Sequence, residues 1–441
     1  MKKIVLLSVV ASTMIMAGGD IAPVEPVVEV VAVEEASSWN FTGQGVAFMQ
    51  TRDSLGTAAG LDSGLFSSAT TAVGLGMELG ATNSNLFWGI GTGVKVAGIL
   101  AGNDELDWTD TNFGNQYGAG ITEAYLTYGF DGADTSIKVG RQTLPKSLSP
   151  FAFSEGWQMF KNTFEAALLV NSSIPNTALV YAWVRRANGS VNALPAGAVF
   201  PWISSQYDGL GDFQKMNQND GLHMITAQNK SISNLTLTGS FYYGPNHTSN
   251  LGVPNGGDTM VLWGDATYKA DMFTVAVQGG QISPDGLDDT TGFGAKIAGN
   301  LGMFDLSAAY TSVDDGAVRM ANFGTSVKTP LYTQSILDQD VIALDADTFK
   351  IAAGMKALGG KFGLAYINAD LGNAAMPAVM YPGIVSGAGT YDEIDFTFKT
   401  KTLIEDTTVF AGYVYQNDDR YAGTAVPEQQ NFVRVWARYN F

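Results

Sequence analysis

From residue 39 to residue 441, apolar and polar residues alternate in blocks of about ten residues. Alternation with a period of two is typical of a β-strand whose two faces meet different surroundings. Eighteen such blocks can be counted, and the connections between them are alternately short and long. An even number of strands with short turns at one end and long loops at the other is typical of a bacterial outer-membrane barrel. We therefore predict an all-β fold: an antiparallel transmembrane β-barrel of eighteen strands with short periplasmic turns and long outer loops.

Strand length supports this prediction. About ten residues at roughly 3.3 Å each, tilted by about 40°, rise close to the roughly 25 Å of the apolar band of an outer membrane. The first short turn is predicted at residues 82–84. In the block that follows, one face is predicted to contact lipid, and it is formed by Leu86, Trp88, Ile90, Val94 and Val96.

The N-terminal region divides into two further segments. Residues 1–17 contain Lys2 and Lys3, a short apolar run and the small residue Ala17, the pattern of a secretory signal peptide. The apolar run is too short to span a bilayer. Residues 18–38 are rich in Val, Pro and Glu, and we predict an acidic periplasmic tail there. The barrel is predicted to occupy residues 39–441.

The composition argues against several functions. A formal net charge of -18 opposes nucleic-acid binding, because phosphate contacts need a basic face. The chain has no cysteine, so disulfide frameworks and thiolate-bound zinc are excluded. His223 and His247 lack the spacing of metal ligands and have no Ser/Asp arrangement near them. We therefore expect no catalytic residues and no enzymatic activity.

The C-terminal block ends on an aromatic residue. Tyr439 and Phe441 share its apolar face, which resembles the terminal signal that the barrel-insertion machinery reads in Gram-negative outer-membrane proteins. The whole region 39–441, including the stretch GRQTLP at residues 140–145, resembles the Opr-type major outer-membrane porins of epsilonproteobacteria. This resemblance implies the outer membrane as location and a homotrimer of 18-stranded barrels, each with one loop folded inward. The expected partners are outer-membrane lipid and lipopolysaccharide, further copies of the chain, and the insertion machinery through Phe441.

The function predicted from these features is a water-filled channel for passive diffusion of small hydrophilic solutes and ions. The excess acid lies mainly in the long loops, whereas strands and short turns are balanced, so we expect a weak preference for cations. Two alternatives stay open. One is a substrate-selective outer-membrane channel, and the other is a non-conducting surface adhesin or carbohydrate-binding β-protein.

Residues 145–161 are the first candidate for a loop that narrows the passage. Two prolines stiffen this loop, apolar residues could anchor it on the wall, and Lys146, Glu155 and Lys161 could face the passage. The loop at residues 189–219 is the rival candidate. Strand residues predicted to line the pore are Lys95, Glu123, Lys138, Arg141, Glu165, Arg185, Asp265, Lys296, Asp305, Lys350, Lys356, Asp395, Lys399, Arg434 and Arg438. Arg141 has the outward parity of its block, and only one of Arg185 and Arg186 can face inward unless a bulge intervenes.

Two acidic clusters in loops could bind a divalent cation, although neither has the pattern of a 12-residue calcium loop. They comprise Asp104, Glu105 and Asp107, and Asp285, Asp288 and Asp289. A structural calcium ion is therefore the one cofactor that the sequence leaves open.

Overall fold

The structure of the chain is a computed structural model that describes residues 39–53, 64–67, 71–101, 118–130, 132–188, 213–217, 220–247, 256–325, 328–373, 387–422 and 428–441. The predicted signal peptide (1–17) and acidic tail (18–38) lie outside the described residues. So do the first acidic cluster, formed by Asp104, Glu105 and Asp107, and most of the rival loop at residues 189–219.

The described residues form nineteen β-strands. These are β1 (Trp39–Arg52), β2 (Thr71–Phe87), β3 (Ile90–Ala101), β4 (Gly118–Phe130), β5 (Thr135–Gln142), β6 (Phe164–Asn171), β7 (Thr177–Ala187), β8 (Gln214–Lys215), β9 (Leu222–Asn229), β10 (Leu235–Gly244), β11 (Thr259–Lys269), β12 (Phe273–Pro284), β13 (Thr290–Leu301), β14 (Phe304–Val313), β15 (Ala346–Ala357), β16 (Gly360–Leu371), β17 (Gly389–Thr400), β18 (Thr407–Asp418) and β19 (Gln429–Asn440). Two short 3-10 turns, Val341–Ala343 and Asp419–Tyr421, complete the described secondary structure.

The strands close into one antiparallel barrel. Each long strand pairs with its neighbours in sequence, and β1 pairs with both β2 and β19, which closes the sheet. The two-residue β8 pairs with the end of β7, while β7 also pairs directly with β9 along its length. Eighteen long strands therefore build the wall, and the prediction of a closed antiparallel barrel of eighteen strands is confirmed. Among the described residues, no helix is both long and apolar enough to cross a membrane.

The first short turn differs from the prediction. The chain continues as β2 through residues 82–84 and turns instead at Trp88 and Gly89, whose φ angles are 51° and 79°. Two consecutive positive φ angles suit a tight two-residue hairpin because their twist matches that of the flanking strands. The prediction at residues 82–84 was wrong because a register shift after Asn83 lets β2 run on. Trp88 consequently lies in the turn and is 90% exposed.

Side chains of opposite parity meet different surroundings, as the alternation predicted. Large apolar side chains on the outward face stay about half exposed, for example Leu126 at 54%, Ile225 at 55% and Ile297 at 53%. Their neighbours in sequence point into the barrel. Such an apolar outer band is what contact with lipid requires.

Two of the connections at the long-loop end turn into the barrel and form its core. We call residues 143–163, between β5 and β6, inner loop A, and residues 314–345, between β14 and β15, inner loop B. Phe151 of inner loop A and Met320 and Leu331 of inner loop B are buried in one cluster with inward side chains of β6, β7, β9 to β12 and β14. The interior at this level is therefore packed protein, and open space lies elsewhere.

Candidate channel lumen

Inner loop A crosses the inside of the barrel between two parts of the wall. On one side, the Phe151 ring lies 5.7 Å from the ring of Tyr242 on β10 and 5.4 Å from that of Trp263 on β11. On the other side, the Trp157 carbonyl accepts a hydrogen bond of 2.8 Å from Arg434 of β19, and the Trp157 ring lies 5.6 Å from that of Phe410 on β18. The loop thus spans the interior and is held at both sides.

Glu155 joins the two inner loops. Its carboxylate accepts hydrogen bonds from Asn322 Nδ2 at 2.7 Å and Thr325 Oγ1 at 2.5 Å, both in inner loop B. Its backbone N–H donates to Asn162 Oδ1 at 2.6 Å. Burial raises the pKa of the Glu155 carboxyl, and the charge of Lys328 and the two hydrogen bonds oppose that shift. Glu155 is therefore a buried link between loops and does not face an open passage.

Inner loop B is fixed to wall residues of three strands. The Glu393 carboxylate on β17 accepts the backbone N–H groups of Ile336 at 2.5 Å and Leu337 at 3.3 Å. The Tyr332 hydroxyl donates to Asp265 of β11, and the Lys350 ammonium of β15 donates to the Gln334 carbonyl. Sequence reasoning missed this loop, although its length and its apolar stretch VIAL at residues 341–344 were available signals.

A chamber of about 1430 Å³ lies on the short-turn side of inner loop A. Its boundary includes inner loop A itself and the inward faces of the strands on both sides. Eight basic and two acidic side chains line it, namely Lys95, Lys138, Lys161, Lys356, Lys361, Lys399, Lys401 and Arg438, with Glu78 and Glu123. Lys361, Lys401 and Glu78 were not among the predicted lining residues.

Ion pairs inside the chamber leave an excess of positive charge. Lys95 lies 3.2 Å from Glu78 and 2.8 Å from Glu123, so both acidic side chains of the lining share one base. Lys361 pairs with Asp305 at 2.5 Å. Burial lowers the pKa of Lys161 in inner loop A, and the like charges of Lys95 and Arg438 lower it further.

Lys356, Lys399 and Lys401 form a second basic group on the wall of the chamber. No carboxylate of the described residues lies within ion-pair distance of them. The ammonium of Lys399 lies 5.9 Å from the centre of the Trp436 ring. These three side chains are therefore available to solutes.

The other predicted lining residues mostly contact the inner loops. Lys296 lies over the Tyr332 ring at 5.5 Å, and Arg438 donates to the carbonyls of Gly156 at 3.1 Å and Gln158 at 2.6 Å. Lys146 lies over the ring of its loop neighbour Phe153 at 5.4 Å. Asp395 lies two residues after Glu393 on β17 and is 0% exposed. Most charged side chains of the wall beside the inner loops therefore hold those loops in place. Lys138 instead lies in the lining of the chamber.

Three predicted lining residues lie on the outward face of the barrel, so those predictions were wrong. Arg141 is the cross-strand partner of Glu165. Glu165 in turn pairs with Arg186, after which the register shifts by one residue. This bulge lies at Arg185, which is exposed. Arg185 shares the outward face of Tyr181, and the bulge places Arg186 on that face too, so neither arginine lines the pore.

The described residues contain no group of three or more His, Cys, Asp or Glu side chains that could hold a metal ion. In the second acidic cluster, the Asp285 carboxylate accepts the N–H of Asp258 at 3.0 Å, and the Asp289 carboxylate accepts Gln281 Nε2 at 2.7 Å. Asp288, the third residue of this cluster, lies in the same loop between β12 and β13. The possible calcium site stays a prediction.

No protein-family model matches the chain, and no curated protein matches it. Solved structures of outer-membrane porins do. OccAB3 of Acinetobacter baumannii aligns with a TM-score of 0.67 at 13% identity, covering 91% of this chain and 99% of that chain. OccK3 (OpdO) of Pseudomonas aeruginosa aligns with a TM-score of 0.65 at 14% identity, covering 91% and 95%. OpdQ of Pseudomonas aeruginosa aligns with a TM-score of 0.63 at 15% identity, covering 92% and 98%. At such low identity the likeness concerns the fold alone.

Proposed function

We propose, from the outer-membrane porin fold that this chain shares with those structures, that it forms a channel in the bacterial outer membrane. The channel admits small hydrophilic solutes and ions by passive diffusion and catalyses no reaction. The single observation that carries the proposal is the charged chamber inside a closed barrel with an apolar outer surface. The long loops would face the exterior and the short turns the periplasm.

The sign of charge differs between the mouth and the chamber. Acidic long loops favour small cations at low salt, as the sequence predicts, and this effect belongs to the mouth. The chamber has the opposite sign because no carboxylate of the described residues lies within ion-pair distance of Lys356, Lys399 or Lys401. We propose that negatively charged groups of solutes bind transiently there.

The size of the effect follows from Coulomb's law. A unit charge about 7 Å from an ammonium gains roughly 0.6 kcal/mol at the dielectric constant of water. Three ammonium groups give about 2 kcal/mol, and screening in roughly 0.1 M salt halves this to about 1 kcal/mol. An anion would therefore be enriched about fivefold in the chamber.

Single-channel recording in a planar bilayer tests the proposal. The variant carrying Lys356→Gln, Lys399→Gln and Lys401→Gln should conduct, and its reversal potential in a salt gradient should shift toward cation preference. Lys230→Gln, which removes one charge at the short-turn end outside the chamber lining, is the matched control and should behave as wild type. An unchanged reversal potential would contradict the role of the chamber. A film that stays electrically silent would favour the adhesin or carbohydrate-binding alternative.

A substrate-selective channel is the second candidate, and the grouping of unpaired lysines on one wall favours it. In that case one carboxylate-bearing solute should block the ion current at low concentration and the triple variant should relieve the block. Equal weak block by many anions would instead support general diffusion.

The proposal also covers assembly. We expect a homotrimer in contact with lipid and lipopolysaccharide, and recognition of the terminal strand by the insertion machinery through Phe441. Kinship with the Opr-type porins of epsilonproteobacteria is part of the same proposal. Native mass spectrometry of the detergent-extracted protein would show the oligomeric state, and a monomer would contradict the trimer.

A further inference from the structure

A row of charged side chains crosses the outward face of four adjacent strands at the long-loop end. Arg141 of β5 lies opposite Glu165 of β6, and Glu165 lies opposite Arg186 of β7. Arg186 in turn lies opposite Lys215 of β8. Arg185, the bulged residue beside Arg186, is exposed. We call these five side chains the outer basic row, in which four bases meet one acid.

The surroundings of the row place it on the outside of the barrel. Leu169, which shares the face of Glu165 on β6, is 37% exposed, and its cross-strand partner Tyr181 is 39% exposed. Phe164 and Ala166, on the other face of β6, are buried in the cluster that contains inner loop A. The charged side chains therefore point away from the lumen and toward the surrounding medium.

An aromatic group lies directly beside the row on its short-turn side. The ring of His223 on β9 lies 6.3 Å from that of Trp183 on β7 and 6.4 Å from that of Tyr243 on β10. Aromatic belts of this kind occupy the interface between the apolar core and the headgroups of a membrane. Because β7 runs from Trp183 through Arg185 and Arg186 toward the long loops, the row lies just beyond the belt, at the level of the headgroups.

The outer basic row has a net positive charge that its single acid does not neutralise. The Glu165 carboxylate forms ion pairs with two guanidinium groups, at 3.0 Å from Arg141 Nε and 3.7 Å from Arg186 Nη1. Arg186 Nε is buried and has no acceptor among the described residues. A guanidinium group binds the oxygens of a phosphate in a two-pronged geometry, and several of them together favour phosphate over uncharged ligands.

Three strands on another part of the described rim carry the opposite charge. On β15, β16 and β17, outward positions at the same end carry Asp347, Asp370 and Asp392. The Asp347 carboxylate accepts the Tyr310 hydroxyl at 2.8 Å, and the Asp392 carboxylate accepts the Tyr366 hydroxyl at 2.6 Å. The outward charges at this end of β15 to β17 are therefore negative, opposite in sign to those of the outer basic row.

We propose that the outer basic row is a binding site for the phosphate groups of lipopolysaccharide. The site needs the long-loop end to face the outer leaflet, and so it rests on the orientation given under the proposed function. The arginines would hold phosphate oxygens, the aromatic group would lie against the base of the headgroup, and the exposed apolar side chains below it would contact the acyl chains.

Binding of fluorescent lipid A to the detergent-solubilised full chain, followed by anisotropy, tests the site. Lipid A carrying its phosphates should bind at least about tenfold more tightly than its dephosphorylated form. Replacing Arg141, Arg185, Arg186 and Lys215 by Gln should abolish that difference. The milder pair Arg185→Gln and Lys215→Gln leaves the Glu165 ion pairs in place and should weaken binding several-fold, which keeps the test valid if the fourfold variant fails to fold. Lys230→Gln at the short-turn end is the control.

The outcomes separate this site from its alternatives. Equal affinity for both lipids, or wild-type binding by both variants, would overturn the proposal. Displacement of the lipid by millimolar inorganic phosphate would mean a site for free phosphate, and a changed oligomeric state with unchanged lipid binding would mean a contact between subunits. Conductance of the same samples in planar bilayers is measured separately, so a silent channel with normal lipid selectivity would refute the proposed function and leave this site standing.

Discussion

The buried link between the two inner loops gives the sharpest test of how the lumen is held. Replacing Glu155 by Ala removes the carboxylate oxygen to which Asn322 Nδ2 and Thr325 Oγ1 both donate, while Asn322 Nδ2 keeps its hydrogen bond of 2.8 Å to the Phe153 carbonyl. A hydrogen bond to a charged group contributes about 1.5–3 kcal/mol. The Ala variant no longer has to bury a carboxylate, which recovers part of this free energy. We therefore expect the free energy that attaches inner loop A to the wall to fall by about 2–4 kcal/mol.

Glu155→Gln is the matched control for this prediction. Its amide oxygen can accept both hydrogen bonds, and it carries no charge, so attachment should stay close to that of wild type. Hydrogen exchange of residues 145–161 and open-channel current noise would report attachment. We expect faster exchange and more noise for the Ala variant alone. Wild-type exchange and noise in the Ala variant would refute the link.

The same link gives a dependence on pH whose sign is fixed. Because burial raises the pKa of Glu155 above its usual value, the attached loop favours the protonated carboxyl. Attachment is therefore strongest below the usual pKa of a glutamic acid and weakens as pH rises through the raised pKa. The Gln variant should lose the part of the dependence that comes from Glu155. A Gln variant with the full pH dependence of wild type would contradict this assignment.

Three further predictions concern the rest of the fold. Gly280→Ala should impair barrel assembly, seen as loss of the heat-modifiable gel shift, because a Cβ there would clash with the backbone carbonyl oxygen of Leu262, whereas Gly45→Ala meets nothing within 4 Å and should fold normally. Burial raises the pKa of Asp340 to about 6, so wild-type stability in calorimetry should fall by up to about 3 kcal/mol as pH rises from about 4 to 7, and Asp340→Asn should remove that slope. Trp157→Ala should raise single-channel conductance, because the ring packs on Phe410 in the interior; unchanged conductance would place the narrowest point elsewhere.

Parity along the chain predicted the wall of the barrel well and its details less well. Leu126 and Ile225 face outward as the alternation requires, because successive side chains of a strand point to opposite faces whatever the tertiary structure. Alternation also holds at Glu165 and Arg185, for which the prediction chose the wrong face: Glu165 alternates with the buried Phe164 and Ala166, and Arg185 shares the face of the exposed Tyr181. The bulge at Arg185 brings Arg186 to the outward face as well, and a bulge depends on the neighbouring strand, which one strand's sequence does not reveal.

The roles of inward charges were also beyond the sequence. Lys350 and Lys399 have the same parity and the same chemistry, yet Lys350 holds inner loop B by its Gln334 carbonyl and Lys399 lines the chamber. Nothing in the alternating pattern separates them. The difference arises from where the inner loops pass.

The sequence by itself determined the number and direction of the strands and the closure of the barrel, because these follow from a local period of two and from connections of alternating length. Only the tertiary structure decided which loops fill the lumen and where open space remains. The contact between Glu155 and Asn322 joins residues 167 positions apart, and such contacts form only when the barrel brings both loops together. The cationic chamber exists because inner loop A ends against that packing and leaves Lys356, Lys399 and Lys401 with no loop to bind.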